Sequence, residues 1–226
     1  MTTELKGSWE LTKQRSGYHF DNFKFDPDQD RVTTLGNIDP FWQEELANII
    51  ELAQPKTWRT RGKGTDRPAE EYDQEDHDLE QFGYGKDHVV GDLTWEVPEA
   101  FNKINVWFGM DNCKMRLHVQ QPGQVWNLHL DKLEKWHPED PTKVMRIMIA
   151  LTDYQPGHFF SYGNYIHSGW RAGDVHTFDW RNIPHSTANA GHAPRITLQI
   201  TGVVTDRTRD FLRVLRSKSP YRISHV

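Results

Sequence analysis

Strand-like patterns dominate the second half of the chain. Apolar and polar residues alternate in CKMRLHVQQPG, which begins at residue 113, and in WNLHLDK, which begins at residue 126. KVMRIMIALTDY is apolar at most positions, and HFFSYGNY, GDVHTFDW and PRITLQITGVV follow it, separated by turn signals such as RAG and NAGHAP. Closely spaced strands with no helix between them predict an antiparallel sandwich or barrel.

The last of these segments, PRITLQITGVV, separates its residues into two faces. Ile196, Leu198 and Ile200 share one face, and we expect it to pack against helices from the N-terminal part. The other face is polar and consists of Arg195, Thr197, Gln199 and Thr201. It either points into the barrel, which would indicate a binding site, or meets solvent. The alternation is compatible with both.

The first 110 residues contain helical patterns. In NIDPFWQEELANIIELAQP, Asp39 is a good N-cap, Pro40 suits the first helical position and Pro55 ends the apolar stripe. A second helix is predicted from Pro98 to about Phe108, and a short basic helix with a solvated charged face in the tail TDRTRDFLRVLRSKSP.

A long stretch rich in charge and glycine, residues 59–88, lies between the two N-terminal helices. It is interpreted either as a solvated surface excursion or as a lid over a pocket, since long irregular loops are often functional. We therefore expect one domain of 226 residues with three parts. Residues 1–110 form a helical and loop support with the possible lid, residues 111–204 form the strand-rich core, and residues 205–226 form a helical tail.

Composition narrows the class of protein. The 27 Lys and Arg residues against 32 Asp and Glu give a formal charge of -5, so a nucleic-acid partner is not expected. A single cysteine cannot form an internal disulfide. No apolar run reaches the roughly 18 residues of a membrane span, and the N-terminus has no signal-peptide pattern. We expect a cytoplasmic protein that does not enter a membrane.

The segment WNLHLDK carries candidate chemistry. His129 and Asp131 are two residues apart, so on a strand they would project from the same face. Two histidines and one carboxylate form the facial site of non-haem Fe(II) oxygenases, which leaves open positions on the metal. The third ligand would be a later histidine, and the candidates are His137, His158, His167, His176, His185 and His192.

Among these candidates, His185 alone is followed ten residues later by an arginine, Arg195, with Thr197 two residues further on. An arginine and a hydroxyl on one strand face can hold a carboxylate. A second His-x-Asp pair, His19 and Asp21, has no strand series after it and is rejected as a site. His176 is interpreted as structural, although nearby aspartates give it the appearance of a metal ligand.

The motifs HLD and PHSTANAGHAPRIT resemble the His-x-Asp, His and Arg-x-Ser/Thr pattern of the Fe(II)- and 2-oxoglutarate-dependent oxygenases. The resemblance covers about residues 113–204. QPGQVWNLH, RIMIAL and GWRAGDVHTFDW are similar to the aspartyl/asparaginyl β-hydroxylase branch, which includes L-proline cis-3-hydroxylases. The resemblance implies a mainly β fold, the double-stranded β-helix or jelly roll, with flanking N-terminal helices, and makes the chain a single oxygenase domain.

The same resemblance implies roles for individual residues. His129, Asp131 and His185 match the iron ligands. Four further residues match positions that bind the 2-oxoglutarate co-substrate. Arg195 matches the residue that binds its distal carboxylate, and Thr197 would assist Arg195. Arg146 matches a second co-substrate arginine, and His118 lies where the branch carries a co-substrate-binding serine. Two alternatives stay open, because Arg146 is equally explained by a strand-end ion pair and His118 by a surface strand position.

The implied activity is hydroxylation of an unactivated C–H bond with Fe(II), 2-oxoglutarate and O2. The branch points to an amino acid, free or within a peptide or protein, as substrate. Related halogenases replace the acidic ligand, so the presence of Asp131 favours hydroxylation. The alternatives are a non-catalytic, cupin-like metal-binding jelly roll and an oxygenase that acts on nucleic acid.

Overall fold

Antiparallel strands form most of the chain between residues 111 and 203. The computed structural model describes residues 32–51, 58–59, 92–95, 97–163 and 165–218. Its strands are β1 Thr33–Asn37, β2 Trp58–Arg59, β3 Asp92–Trp95, β4 Asp111–Gln120, β5 Val125–His129, β6 Val144–Ala150, β7 His158–Tyr162, β8 Tyr165–His167, β9 Asp174–Thr177, β10 His185–Asn189 and β11 Arg195–Val203. Its helices are α1 Gln43–Glu51, α2 Asn102–Phe108 and α3 Asp206–Lys218.

The described strands form two sheets. The larger sheet has the order β1-β9-β6-β11-β4-β3-β2, and the smaller has the order β5-β10-β7-β8. The inner faces of the two sheets meet in a shared apolar cluster, to which β6 contributes Val144 and Met148 and β7 contributes Phe160 and Tyr162. The arrangement is the sandwich that the strand spacing predicts.

Strand β11 lies at the centre of the larger sheet, between β4 and β6. Its apolar face, with Leu198 at 0% exposure, joins one core cluster with Trp42 before α1, Phe101 before α2 and Leu212 of α3. The predicted packing of this face against the helices is confirmed. Its polar face is buried as well, so that face points between the two sheets and does not meet solvent.

The helices differ from prediction mainly at their starts. Helix α1 begins at Gln43 and not at Pro40, so the predicted N-cap, Asp39, is wrong. The Leu46 N–H donates to the Trp42 carbonyl at 2.8 Å, and the buried Trp42 indole donates a hydrogen bond of 2.9 Å to the Leu151 carbonyl. Helix α2 follows a short 3-10 turn, Glu99–Phe101, and the predicted tail helix is present as α3.

The predicted HFFSYGNY strand is divided in the structure, and the possible lid lies almost wholly outside the described residues. HFFSYGNY is a hairpin of β7 and β8, because the chain turns at Gly163. The possible lid, apart from Arg59 in β2, lies outside the described residues, as do His19 and Asp21. No helix in the described part of the chain is long and apolar enough to cross a membrane.

Gly173 joins three strands at the edge of the larger sheet. Its N–H donates to the Ala150 carbonyl at 2.7 Å, and its carbonyl accepts from the Ile38 N–H at 2.9 Å. The φ angle is +92°, and an added Cβ would lie 2.1 Å from the Ile38 carbonyl oxygen. This position therefore requires glycine for both its backbone angle and its space.

We expect Gly173→Ala to lower the free energy of unfolding by at least about 2 kcal/mol more than Gly169→Ala, because only the first adds a backbone clash. Gly169 is the matched control, since its φ is +71° but an added Cβ would meet no atom within 4 Å. Urea unfolding of both variants measures the difference. Equal losses would contradict this account of Gly173.

Candidate metal centre

Two histidines are brought together by strand pairing. His129 ends β5 and His185 begins β10, and the two residues are direct partners in the antiparallel register. Their ring centroids lie 4.3 Å apart. A separation of 56 positions in the sequence is thus closed by one pair of neighbouring strands.

Asp131 reaches the same place by a route that the sequence did not indicate. Strand β5 ends at His129, so Asp131 lies beyond the strand, and strand alternation by itself does not account for its position. Leu133, two residues further on, is 4% exposed and belongs to the inner apolar cluster. Asp131 Oδ1 nevertheless lies 3.6 Å from His129 Nε2, and Oδ2 lies 3.6 Å from His185 Nε2.

The three side chains can hold one metal ion. Their candidate ligand atoms all lie within 4.8 Å of one another, and no other such group occurs among the described residues. Ligands about 2.1 Å from a metal lie roughly 3.0–3.4 Å apart, so the observed spacing needs little adjustment. Two imidazoles and one carboxylate suit Fe(II), and the set leaves coordination positions open.

The His185 ring is oriented for metal binding. Its Nδ1 lies 3.3 Å from the Ile183 carbonyl, which favours a proton on Nδ1 and leaves the Nε2 lone pair towards Asp131. The Phe178 ring packs beside it, with centroids 4.6 Å apart. Burial, and then the neighbouring His129, lower the pKa of His185 to about 3. The imidazole is therefore neutral at physiological pH, which is the form that binds a metal.

Trp126 lies beside the first histidine. Its indole N–H donates to His129 Nε2 at 3.1 Å, the atom that also faces Asp131. A metal held through this nitrogen would displace the hydrogen bond, because both use the same lone pair. Trp126 is three residues before His129 in the sequence, but spacing alone does not indicate this contact.

Arg146 compensates the charge of Asp131. Its guanidinium Nη1 lies 2.5 Å from Asp131 Oδ2, and its Nε donates to the Thr201 hydroxyl at 3.1 Å. Burial by itself would raise the pKa of the Asp131 carboxyl, but the charge of Arg146, followed by His185 and His129, holds it well below its usual range. The ion pair that the sequence left open for Arg146 is present, and it reaches a candidate metal ligand.

A cavity opens between the sheets beside this centre. The space between its walls is about 290 Å³ when the part open to solvent is included. Its lining consists of Met148, Ala150, Phe160, His167, Trp170, His176, Arg195 and Thr197. Phe160 borders both regions, because its ring centroid is 6.0 Å from that of His185.

Arg195 and Thr197 bring the polar face of β11 into the cavity. Arg195 is buried, its Nη1 donates to the Phe159 carbonyl at 3.2 Å, and its guanidinium lies 5.9 Å from the Trp170 ring centroid. The arginine is thus held in place on a buried wall. His118, the cross-strand partner of Thr197, is also buried, so its interpretation as a surface position is wrong.

Two cavity residues were missed by sequence reasoning. His167 and His176 were considered only as third ligands, and His176 was set aside as structural. Both line the cavity beside Arg195. The signal that could have found His176 is its register with Met148 on β6, which depends on sheet order and is not visible in spacing.

Comparison with known proteins gives structural neighbours alone. The sequence matches no protein-family model and no curated protein at a significant level. A prolyl-4-hydroxylase from Pseudomonas putida is 16% identical over 79% of this chain and 95% of its own, with a TM-score of 0.42. The non-heme alpha ketoglutarate dependent carbocyclase SnoK from nogalamycin biosynthesis is 17% identical, over 57% and 71%, with a TM-score of 0.41. A predicted oxalate decarboxylase from Thermotoga maritima is 17% identical, over 50% and 79%, with a TM-score of 0.32.

The fold is a double-stranded β-helix. The predicted jelly roll with flanking helices is confirmed by the sheet topology, in which β9-β6-β11-β4 and β5-β10-β7-β8 form the two facing sheets. An uncharacterised Klebsiella pneumoniae protein with a double-stranded β-helix domain is a further structural neighbour, at 16% identity and a TM-score of 0.33. The neighbours carry the names of different activities, namely a prolyl-4-hydroxylase, an alpha ketoglutarate dependent carbocyclase and a predicted oxalate decarboxylase. Any activity of this chain therefore has to be argued from its own residues.

We expect Arg146→Met to lower the free energy of unfolding of the metal-free protein by about 3 kcal/mol or more, because it leaves the buried Asp131 carboxylate without its counter-charge. Chemical denaturation in the presence of a chelator measures the change. Arg209→Met is the matched control, since the Arg209–Asp206 ion pair is exposed and should contribute under about 1 kcal/mol. Similar losses in both variants would contradict this role of Arg146.

Proposed function

We propose that this chain is an Fe(II)- and 2-oxoglutarate-dependent dioxygenase that hydroxylates an unactivated C–H bond. The observation that carries the proposal is the combination of two features in one interior. A His129, Asp131 and His185 cluster can hold a metal, and a buried arginine, Arg195, lines the adjoining cavity. A metal end and a carboxylate-binding end are what a metal-chelating keto acid requires.

The donor set supports iron as the metal. Two neutral imidazoles and one carboxylate would leave Fe(II) with a net positive charge, which favours an anionic co-substrate. The chemistry that the metal and the keto acid supply when bound is activation of O2, with decarboxylation of 2-oxoglutarate to succinate and insertion of one oxygen atom into the substrate. The protein contributes orientation, charge and exclusion of water.

Arg195 supports a dicarboxylate as the co-substrate. A guanidinium binds a carboxylate with two parallel hydrogen bonds, and the Thr197 hydroxyl lies on the same strand face to add a third. Because Arg195 is held by the Phe159 carbonyl and lies near Trp170, its position is set before the ligand arrives. Such preorganisation reduces the entropy lost on binding.

Arg146 receives a different role from the one that the resemblance implies. Its Nη1 and Nε are directed to Asp131 and Thr201, so it orients the carboxylate ligand and balances its charge. We propose that Arg146 acts primarily on Asp131, with any contact to the co-substrate being secondary. His118 lies on the inner face beside Thr197, where a direct contact with the co-substrate stays a proposal.

An amino acid, free or within a peptide or protein, is proposed as the substrate. This part rests on the resemblance of QPGQVWNLH and the segments that follow it to a branch of amino-acid hydroxylases. Asp131 completes the set of three candidate metal ligands. Because a carboxylate occupies the position that a halide takes in the related halogenases, its presence supports hydroxylation. The formal charge of -5 argues against nucleic acid as the substrate.

The main rival is a cupin-like protein that binds a metal without catalysis. Such a protein has no need for an arginine held on the wall of an adjoining cavity. Arg195 and Thr197 are therefore the features that favour the oxygenase.

We expect the anaerobic Fe(II) protein to develop a visible charge-transfer band with 2-oxoglutarate, and His129→Ala or Asp131→Ala to abolish it, because each removes a ligand. Absorption titration measures the band, and His192→Ala at an exposed histidine is the control. A wild-type protein that shows no band and releases no succinate from 2-oxoglutarate would refute the proposed function.

We expect Arg195→Ala to raise the dissociation constant for 2-oxoglutarate on the order of 100-fold, because a bidentate charged contact is lost. Fe(II) binding should be retained, since Arg195 is not in the metal cluster. The same titration measures the constant, and Arg171→Ala removes an exposed arginine as the control. An unchanged constant would remove Arg195 from this role.

A further inference from the structure

Two histidines line the cavity with ring nitrogens that the protein leaves unused. His167 Nε2 and His176 Nδ1 are both shielded from solvent, and neither has a hydrogen-bond partner among the described residues. His176 is 7% exposed. A buried polar atom without a partner is costly, and a native fold keeps one where a ligand or a bound water completes it.

The two rings are held in fixed positions. His167 stacks on Trp170, with ring centroids 5.6 Å apart and an angle of 29° between the planes. His176 lies 4.9 Å from His167 and 5.9 Å from Phe160, measured between centroids. The rings form one wall of the cavity, and Arg195 lines the same cavity. Their nitrogens are therefore preorganised and need not be ordered by a ligand.

The charge in this part of the cavity matches one carboxylate. Burial lowers the pKa of His167, and burial together with the neighbouring His167 and Arg195 lowers the pKa of His176 well below its usual value. Both rings are neutral at physiological pH, so each can donate one hydrogen bond without adding a charge. Arg195 then supplies one positive charge, and a carboxylate has about four acceptor sites, more than Arg195 and Thr197 can fill.

We propose that His167 and His176 donate hydrogen bonds to the carboxylate that Arg195 binds, and so select a keto acid with a second, distal carboxylate. This inference rests on the proposed function. The pair are positioning residues, because they would hold the far end of the co-substrate and not the reacting atoms. His167 Nε2 and His176 Nδ1 are the atoms that donate.

Paired substitutions at His176 separate hydrogen bonding from packing. His176→Leu removes the donor at similar volume, whereas His176→Asn keeps an amide nitrogen near the position of Nδ1. We expect the leucine variant to raise the dissociation constant for 2-oxoglutarate about tenfold or more, and the asparagine variant to stay within about threefold of wild type. Equal constants in all three proteins, or equal losses in both variants, would overturn the proposal.

The same titration with 2-oxobutyrate tests which end of the keto acid is bound. This acid has the metal-chelating group but no distal carboxylate. We expect His176→Leu to bind it as the wild-type protein does. A loss of similar size for both acids would overturn the assignment to the distal carboxylate.

A second pair of variants covers the case in which His176→Leu does not fold. His167→Met removes the other donor, and His167→Gln keeps an amide nitrogen near the position of Nε2. The expected pattern is the same, with weaker binding for methionine and near-normal binding for glutamine. If a variant keeps the wild-type melting temperature and the wild-type Fe(II) affinity, the latter measured by equilibrium dialysis, misfolding is excluded as the cause of weaker 2-oxoglutarate binding.

The outcomes also separate this inference from the proposed function. If the wild-type Fe(II) protein gives no charge-transfer band with 2-oxoglutarate, the dioxygenase proposal itself fails. If wild type gives the band and the donor-deleting variants at His167 and His176 titrate like wild type, only the role of the two histidines fails, and a bound water explains their buried nitrogens.

Discussion

The burial of β11 on both of its faces is the constraint on which the rest of the structure depends. One face packs against the helices through residues such as Leu198. The other face carries Arg195, Thr197 and Thr201 into the space between the sheets. Buried polar groups are costly unless they are paired, so the interior has to provide partners. Arg146 supplies one at Thr201, and the cavity beside Arg195 has room for another.

The interior is divided by chemistry into two ends. At one end Asp131 carries a charge that Arg146 balances, between two imidazoles that can share a metal. At the other end Arg195 is a cation in a wall of aromatic rings. Phe160 borders both ends and, with its neighbours in the inner cluster, joins the two sheets. The same packing that joins the two sheets thus separates the cluster of His129, Asp131 and His185 from the cavity wall that contains Arg195.

Much of the fold was predictable because strand alternation is local. The segments of β4 and β11 were recognisable from a two-residue period and that of β6 from its apolar run, and the tail was predicted as a short basic helix. The start of α1 was not, since the helix begins at Gln43, after Trp42, whose buried indole bonds to the distant Leu151 carbonyl. Asp131 lies near His129, as predicted, but after the end of β5, where its carboxylate pairs with Arg146.

By itself the sequence determined which residues were candidates for the site. The ten-residue spacing of His185 and Arg195 and the pair of His129 and Asp131 can both be read from the sequence alone. The tertiary structure decided which of them meet. Strand pairing placed His129 against His185, and the order β9-β6-β11 placed His176 on the wall that contains Arg195. The physical reason is that alternation sets the face of each side chain, whereas its neighbours across the sheet depend on hydrogen bonds between segments far apart in the chain.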